Sequence, residues 1–276
     1  MSADRYAGRS AVVTGAGGGV GRALTHALTA AGARVVCADL DLEAARQTAE
    51  TAPGPGSARA GRLDVTDAAA VQALVDEVVA EHGRLDLMFN NAGITLLGET
   101  QDLTLDQWNA IIDVNLRGVV HGVVAAYPQM IRQGSGHLVN TASMGGLMAA
   151  GLLTSYVATK HAVVGLSLAL RSEAAAHGVG VTVVCPAAVE TPMLDKGEIG
   201  RVRGRDYYLK GQGIRRPLDP DDLAGQVLAA VAADRSMVVA PRQARLAWRI
   251  GRLAPRFTQR MATRFVARQR AWASQI

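Results

Sequence analysis

The sequence has little cysteine, few aromatic residues and no long apolar run, and each scarcity excludes a class of protein. Its two cysteines, Cys37 and Cys185, end strongly apolar runs, which predicts buried, reduced thiols rather than a disulfide framework. Aromatic residues are 4% of the 276 residues, so the core is mainly aliphatic, and 49% hydrophobic residues exclude intrinsic disorder. Because neither an apolar run of about eighteen residues nor a signal-like N-terminus occurs, we expect a cytoplasmic protein without a membrane-spanning helix.

Acidic residues are missing from the C-terminal part of the chain. From Arg235 to Ile276 the sequence has ten arginines and no aspartate or glutamate. The whole chain carries a formal charge of +5, so residues 1–234 carry −5. The isoelectric point of about 9.6 therefore reflects a basic tail on a mildly acidic body, and we do not expect nucleic-acid binding.

Short β-branched runs alternate with longer amphipathic stretches that are rich in alanine and leucine. The predicted strands are Ala11–Thr14, Arg34–Ala38, Ala58–Asp64, Leu85–Asn90, His137–Thr141, Val179–Val184 and Met237–Ala240. The predicted helices lie near Gly21–Ala31, Leu42–Thr51, Ala68–His82, Leu105–Ile131, Ser155–His177 and Pro220–Ala233. This order predicts an α/β fold, a Rossmann-like doubly wound parallel sheet of about seven strands with helices on both faces.

Two segments depart from the alternation. Residues 194–217 follow the sixth predicted strand as a long, polar, glycine-containing stretch, which is typical of a lid or binding loop. Residues 242–276 repeat arginines and apolar residues at helical spacing. We therefore predict one catalytic domain at 1–241, with a substrate flap at about 194–217, and a basic amphipathic helical extension at 242–276.

A glycine-rich turn, Thr14–Gly21, joins the first predicted strand to the first helix. Glycines let a pyrophosphate approach the backbone and the N–H groups of the helix N-terminus. Asp39 ends the second predicted strand, where a carboxylate accepts hydrogen bonds from ribose hydroxyls and repels a 2′-phosphate. Because no arginine or lysine occupies positions 15–21 or 40, NAD(H) is favoured over NADP(H). Asp39 as an ordinary loop acid, and Asp41 as the ribose ligand, remain alternatives.

Tyr156 and Lys160 lie four residues apart at the start of a predicted helix and therefore share one face. Tyrosine has an ordinary pKa near 10. A nearby ammonium lowers that pKa, which suits the phenol for proton exchange with an alcohol or ketone. Lys160 is one of three lysines beside 26 arginines, although a lysine that merely solvates a helix surface explains the spacing equally simply.

These motifs, with others in a fixed order, resemble the short-chain dehydrogenase/reductase family over about residues 8–241. The further motifs are Asn90–Gly93, Val114–Asn115, Ser143 and Pro186–Thr191. The resemblance implies a single-domain NAD(P)-dependent oxidoreductase in which Tyr156 is the general acid/base and Lys160 binds the nicotinamide ribose. It further implies that Ser143 hydrogen-bonds the substrate oxygen and that Asn115 holds a water of a proton relay. A turn serine and a buried structural asparagine are the simpler alternatives for these two residues.

The resemblance also implies a set of cofactor contacts. The set is Gly15, Gly19, Val20, Gly21, Asp39, Asp64, Val65, Asn91, Ala92, Gly93, Tyr156, Lys160, Pro186, Val189 and Thr191. Within it, Asp64 is expected at the adenine edge and Thr191 at the carboxamide. Ala187 stands after Pro186 where family members usually carry glycine. Since alanine is disfavoured at positive φ, we expect a slightly altered turn there.

Apolar residues around the expected crevice indicate a small hydrophobic carbonyl or alcohol substrate. They are Ile94, Leu96, Leu97, Met144, Leu147, Met148, Leu152 and Met193. The expected substrate contacts are Ser143, Met144, Leu152, Tyr156 and Met193. The flap contains Arg201, Arg203, Arg205, Tyr207, Tyr208 and Lys210. These cations are compatible with an acidic substrate, but solvated surface charge is the favoured interpretation, and we expect no metal site.

The basic tail has an amphipathic pattern. Arginines recur at 245, 249, 252, 256, 260, 264 and 268, each followed within one position by an apolar residue up to Phe265, and Pro255 is expected to start a second helix. The apolar stripe either packs on the body or a sister subunit, or lies on an anionic bilayer surface. Packing is slightly favoured, because members of the resembled family usually form homodimers or homotetramers.

The sequence thus predicts a cytoplasmic NAD(H)-dependent oxidoreductase that interconverts a hydrophobic secondary alcohol and its ketone by hydride transfer. One alternative is a lipid or steroid dehydrogenase that the basic tail docks at a membrane surface. Another is a non-catalytic dinucleotide-sensing or interaction protein on the same fold, against which Ser143, Tyr156 and Lys160 count.

Overall fold

The computed structural model describes residues 5–200, 204–212 and 216–273, in which strands and helices alternate as predicted. The strands are β1 Ser10–Thr14, β2 Arg34–Asp39, β3 Ser57–Arg62, β4 Leu87–Asn90, β5 Gly136–Thr141, β6 Val179–Pro186 and β7 Met237–Ala240. The helices are α1 Gly19–Ala30, α2 Leu42–Glu50, α3 Ala68–His82, α4 Leu105–Ile112, α5 Gly118–Gln133, α6 Thr154–Ala174, α7 Gly204–Gln212, α8 Pro220–Ala232, α9 Arg242–Leu253 and α10 Pro255–Ala273.

All seven strands run parallel in one sheet with the order β3-β2-β1-β4-β5-β6-β7. Val13 of β1 pairs with Cys37 of β2 on one side and with Phe89 of β4 on the other, so the order of connection reverses beside β1. This arrangement confirms the predicted Rossmann-like doubly wound sheet. In such sheets ligands bind at the carboxyl ends of the strands near the reversal point.

Aliphatic side chains fill the two layers between the sheet and its helices. On one face Leu28 of α1 and Leu223 of α8 pack over Val13, and on the other face Met130 of α5 packs with Met88 and neighbouring valines. Cys37 and Cys185 are buried free thiols, as the sequence predicts.

Aspartate side chains start several helices. Asp67 accepts hydrogen bonds from the backbone N–H groups of Ala69 and Ala70, and Asp219 caps α8, whose first residue is Pro220. Both predicted helix starts are confirmed.

One long helical stretch, Leu105–Gln133, contains an irregular turn. Residues Asp113–Arg117 form a π-helical turn between α4 and α5, where the sequence pattern predicts an uninterrupted α-helix. By length and composition alone the stretch could cross a bilayer, with a mean hydropathy of 1.2 in its most apolar window. In the fold Ala126 and Met130 pack it against the sheet, which accounts for its apolar character.

The flap contains more regular structure than the sequence pattern indicates, whereas the tail is helical as predicted. Within residues 194–217 lies a helix, α7, and residues 201–203 and 213–215 lie outside the described part. The prediction of an uninterrupted loop there is therefore wrong, and the burial of Tyr207 and Tyr208 explains the helix. Pro255 begins α10, as predicted.

His137 of β5 provides a test of the packing. Its ring is buried and its Nε2 lies 2.8 Å from Thr182 Oγ1. Burial lowers its pKa from 6.5 to about 4. Between these pH values the ring is therefore protonated in the unfolded chain and neutral in the folded one. We expect this residue to remove about 3 kcal/mol of stability as pH falls through that window. The free energy of unfolding in urea, measured at several pH values for the parent and for His137→Gln, isolates the effect. An equal dependence of this free energy on pH in both proteins would contradict it.

Candidate active site

Glycine is required at three positions of the β1–α1 turn. Gly15 and Gly19 have φ of +65° and +51°, a region that favours glycine. A Cβ on Gly15 would lie 2.8 Å from Ala92 Cα, and one on Gly21 would overlap the Gly15 carbonyl oxygen. The turn is therefore a bare-backbone cradle at the N-terminus of α1, and half-buried Val20 anchors that helix on the core.

Thr14 holds this cradle against the end of β4. Its Oγ1 accepts hydrogen bonds from the N–H groups of Asn91 (2.9 Å) and Ala92 (3.1 Å) and donates to the Phe89 carbonyl. The Asn91 amide also donates to the Thr14 carbonyl at 3.0 Å. The structure thus brings the predicted Asn91–Gly93 segment to the glycine cradle, and Thr14 is a positioning residue that motif matching alone does not reveal.

Asp39 and Asp41 have different structural roles. Asp39 Oδ2 accepts from the N–H of Gly17 at 2.8 Å, so its carboxylate sits at the cradle. Asp41 caps α2 by accepting from the N–H groups of Glu43 and Ala44. Asp41 is therefore occupied as a helix cap, whereas Asp39, which also accepts from the Asp41 N–H at 3.0 Å, is the carboxylate that lies at the glycine cradle.

Asp64 and Val65 follow β3 on the same edge of the sheet. Asp64 is exposed, and its Oδ1 accepts from the N–H (2.9 Å) and the hydroxyl (2.7 Å) of Thr66. These hydrogen bonds lower the pKa of the Asp64 carboxyl. Val65 is buried against Gly118, where an added Cβ would lie 2.8 Å from Val65 Cγ2.

Lys160 is a buried amine, with 3% of its surface exposed. Its Nζ donates to the Thr141 carbonyl at the end of β5 at 2.9 Å and lies near Gly93, where a Cβ would be 3.4 Å away. Burial lowers the pKa of Lys160 to about 8, so the amine is still mostly charged at neutral pH. The interpretation of Lys160 as a solvating surface lysine is excluded.

Tyr156 lies one helical turn before Lys160, whose Nζ is 5.7 Å from the centroid of the tyrosine ring. Burial is the largest influence on the phenol and raises its pKa, whereas the hydroxyl of Ser143 lowers it. The expectation of a lowered pKa is therefore wrong for the protein by itself, because desolvation outweighs the neighbouring polar groups. Ser143 also accepts from the Gly145 N–H at 3.1 Å, so it caps a short turn as well as facing Tyr156.

Asn115 is fully buried in the π turn and binds the backbone of Ile94 twice. Its Oδ1 accepts from the Ile94 N–H at 2.8 Å, and its Nδ2 donates to the Ile94 carbonyl at 2.9 Å and to Thr159 Oγ1 at 3.3 Å. These contacts match the structural alternative for Asn115. Its role in holding a relay water stays a prediction.

The segment after β6 closes over the glycine cradle. Pro186 ends β6 beside β7, and the N–H of Ala187 donates to the Ala240 carbonyl at 2.8 Å. Ala187 does not have a positive φ, so its side chain causes no backbone strain at this position, and the altered turn stays a prediction. Thr191 donates to the Val189 carbonyl and lies over Gly19, where a Cβ would be 2.9 Å from Thr191 Cγ2.

One side of the site is apolar: Leu152 belongs to the cluster against which Tyr156 packs, and Met144 belongs to another cluster. Met144 and Leu152 are buried and Met193 is half-buried. Leu152 has φ +67°, a strained value for leucine, and its carbonyl accepts from the Gly98 N–H at 2.9 Å. Strain of this kind persists only where surrounding contacts hold it, here in the loop before α6.

The flap packs on this apolar side through its tyrosines. Tyr208 shares a 2.5 Å hydrogen bond with Thr95 Oγ1, and Tyr207 donates to the Gly151 carbonyl. Tyr207 also makes an edge-to-face contact with Phe265 of α10, with ring centroids 5.2 Å apart. The tail therefore holds the flap in place, a contact that spans too much sequence for motif analysis to find.

Arg205 of the flap is paired with two carboxylates. Arg205 binds Glu190 (2.7 Å) and Asp195 (2.8 Å), and these bonds lower the pKa of both carboxyls. Arg201 and Arg203 lie outside the described residues, as does the side chain of Lys210. The pairing favours a structural role for Arg205 over recognition of an acidic substrate.

The residues present fit a dinucleotide. The cradle exposes backbone without a Cβ, α1 directs its N-terminus at it, and Asp39 and Lys160 lie at opposite ends of the same edge. Within the described residues no cluster of three or more His, Cys, Asp or Glu side chains is placed to hold a metal ion.

A family model for short chain dehydrogenases matches residues 9–199, and the chain belongs to this family. Cyclohexanol dehydrogenase of Acinetobacter sp. (strain SE19) is 34% identical over 86% of this chain and 93% of that protein. D-threitol dehydrogenase of Mycolicibacterium smegmatis is 37% identical over 85% of this chain and 90% of that protein.

Solved structures have the same fold. A short chain dehydrogenase/reductase from Burkholderia phymatum in complex with NAD superposes with a TM-score of 0.82 and 31% identity, covering 91% of this chain and 95% of that one. A metagenomic short-chain oxidoreductase in complex with NADP superposes with a TM-score of 0.70 and 31% identity, covering 85% of this chain and 96% of that one. The fold therefore accommodates either nicotinamide cofactor.

We expect Phe265→Ala to loosen the flap. Loss of the edge-to-face contact with Tyr207 should raise KM for an apolar ketone about twofold to tenfold and leave kcat nearly unchanged. Hydrogen exchange of the α7 amides should quicken in parallel. Phe257→Ala, the same change at an exposed site of α10, is the control. Equal kinetics for the two variants would show that the contact between Phe265 and Tyr207 does not hold the flap.

Proposed function

We propose that this short-chain dehydrogenase is an NAD(H)-dependent oxidoreductase that interconverts a small hydrophobic secondary alcohol and its ketone. The observation that carries the proposal is the pair of half-buried Tyr156 and buried Lys160, one helical turn apart, with Ser143 facing Tyr156 beside the glycine cradle. A group that donates a proton and a cation beside it are what carbonyl reduction requires.

The cofactor would be held by residues that are already in place. The backbone of Gly15–Gly21 would bind the pyrophosphate, Asp39 the adenosine ribose and Lys160 the nicotinamide ribose. When bound, the nicotinamide supplies or accepts the hydride. The carboxylate of Asp39, which makes no ion pair within the described residues, and exposed Leu40 after it support NAD(H), because a 2′-phosphate would meet a negative charge and no cation at position 40.

The protein's own groups would manage the proton. In the direction of reduction, Tyr156 donates its proton to the carbonyl oxygen while Ser143 donates a hydrogen bond to that oxygen. The raised pKa of Tyr156 keeps the phenol protonated for this step. In the direction of oxidation, Tyr156 accepts the proton of the alcohol, and the ammonium of Lys160 favours the phenolate.

Apolar lining supports a hydrophobic substrate. Leu97, Leu152, Leu194 and the two flap tyrosines cluster next to Tyr156, and Arg205 is neutralised by its two carboxylates. Similarity to a cyclohexanol dehydrogenase agrees with this substrate class, whereas the similarity to a D-threitol dehydrogenase makes a polyol the alternative to test.

We place the enzyme in the cytoplasm as a homodimer or homotetramer. The buried free thiols Cys37 and Cys185 suit a reducing compartment. Exposed Val124 and Leu168 offer apolar surface to a second copy.

The test is NADH and NADPH oxidation by the pure protein with aliphatic, cyclic, aryl, terpenoid and steroid ketones, with a keto-sugar as the polar comparison. Turnover of apolar ketones with NADH supports the proposal. Turnover confined to the keto-sugar would overturn the substrate class. NADH binding without turnover of any ketone would favour the non-catalytic sensing alternative.

Tyr156→Phe should lower kcat for ketone reduction about 10²–10⁴-fold, because the proton donor is lost. Calorimetry should give an NADH affinity within about twofold of the parent, since a general acid acts on the substrate rather than on cofactor binding. Tyr127→Phe, far from the site on α5, is the matched control. Full turnover by Tyr156→Phe would refute the mechanism.

Asp39→Ser should reduce the preference for NADH over NADPH. Losing charge-assisted hydrogen bonds to the ribose is expected to raise the KM for NADH about tenfold to a hundredfold, and removing the repulsion should lower the KM for NADPH. Asp41→Ser keeps a helix-capping hydroxyl at α2 and should leave the ratio unchanged. An unchanged ratio in Asp39→Ser would reject Asp39 as the selector.

A further inference from the structure

The two tail helices bind the body by one face each. Ala244 and Trp248 of α9 pack with the apolar residues after β5, and Gly251 lies near Met148, where an added Cβ would be 3.6 Å from Met148 Cε. On α10, Phe265 and Val266 pack on the cluster that contains Leu152 and the flap tyrosines. These inner contacts fix the position of both helices next to the apolar side of the active site.

Arg270 fixes the end of α10 in addition. Its guanidinium donates two hydrogen bonds to the Glu99 carboxylate, at 2.6 and 2.8 Å, and these bonds lower the pKa of Glu99. Within the described part of the chain, Arg270 is the arginine beyond Pro241 that forms an ion pair. The helix pair is therefore attached at both ends; Arg245 also donates to the Val239 carbonyl, and the Arg252 guanidinium lies 5.6 Å from the centroid of the Trp248 ring.

Both helices also carry a surface of large, exposed apolar side chains. We call this surface the outer face; its apolar residues and their exposed fractions are Leu246 60%, Ile250 47%, Leu253 88%, Phe257 59% and Met261 49%. The first three recur at spacings of four and three on α9, and the last two lie four apart on α10, so each set shares one side of its helix. Leu253 and Phe257 flank the turn between the helices.

Arginines surround the outer face. The exposed ones are Arg242, Arg249, Arg252, Arg256, Arg260, Arg264 and Arg268. At about 100° per residue, Arg249 falls beside Leu246 and Leu253, and Arg260 and Arg264 fall beside Phe257 and Met261. No acidic residue occurs after position 234 to offset them. Exposed leucine and phenylalanine ringed by arginine is the composition of helices that lie in the interface of an anionic bilayer.

We propose that the outer face binds the surface of an anionic lipid bilayer. The apolar side chains would enter the acyl region while the arginines contact lipid phosphates, and the helices would lie in the plane of the membrane. A symmetric contact between two outer faces is disfavoured, because it would oppose arginines to arginines. Since the inner faces border the substrate side, the bound enzyme would open toward a phase in which apolar substrates concentrate.

The proposal is independent of the reaction and is tested by vesicle co-sedimentation of the full-length protein. Phosphatidylglycerol vesicles should pellet it, phosphatidylcholine vesicles should pellet at least about tenfold less, and added salt should release it. Leu253→Ser combined with Phe257→Ser should weaken binding at least about tenfold, because both side chains leave the apolar contact. Arg260→Gln combined with Arg264→Gln should weaken binding to a similar degree.

Leu105→Ser, which removes an equally exposed leucine from α4, is the control and should bind like the parent. Thermal unfolding and NADH binding of every variant show that folding is intact. Sedimentation velocity distinguishes the competing occupant, a second copy of the chain. The proposal would be overturned if the parent did not pellet and the double variant Leu253→Ser with Phe257→Ser formed a smaller assembly. It would also be overturned if the parent and that variant pelleted equally.

Discussion

The buried ammonium of Lys160 constrains the whole catalytic edge of the sheet. A cation removed from water needs polar partners, and the carbonyl of Thr141 at the end of β5 is the one that the fold provides. This hydrogen bond ties α6 to β5, and because Tyr156 precedes Lys160 by one helical turn, the same contact places the phenol. The glycine at position 93 leaves the space that the amine occupies. Burial of the amine is costly to the fold, yet it places a positive charge in low-dielectric surroundings next to the Tyr156 ring.

Two kinds of contact divide the site between them. Directed hydrogen bonds connect its polar floor: Thr14 joins β1 to the loop after β4, Asn91 accepts from Thr141, and Asn115 holds the backbone beyond that loop. Such bonds require fixed geometry, so this floor is rigid. The substrate side is instead closed by apolar packing of the flap and α10, which is non-directional and tolerates changes in shape. The division explains how a constant chemistry and a variable specificity coexist on one fold.

Most of the fold could be predicted from the sequence because each strand and helix carries a local signal, and the glycines and strand ends place the site. Local signals also have limits. Asp39 and Asp41 are equivalent in a motif, and the helix cap of α2 separates them only in three dimensions. The contact of Tyr207 with Phe265 joins distant segments and has no periodicity to find. Desolvation of Tyr156 depends on everything packed around it, so the direction of its pKa shift is a property of the tertiary structure.

The π turn at Asp113–Arg117 changes the direction in which the following residues face in the longest helical stretch of the described chain. An α-helix rotates by about 100° per residue, so one extra residue in a turn shifts the facing of everything that follows. Here the extra residue lets Asn115 point at Ile94 while Ala126 and Met130, further along, still point at the sheet. Removing a single residue from this turn would therefore rotate the whole of α5 by about 100° about its axis and direct Ala126 and Met130 away from the sheet. In this stretch the fold therefore requires a fixed number of residues between Asn115 and the core residues Ala126 and Met130, as well as the side chains themselves.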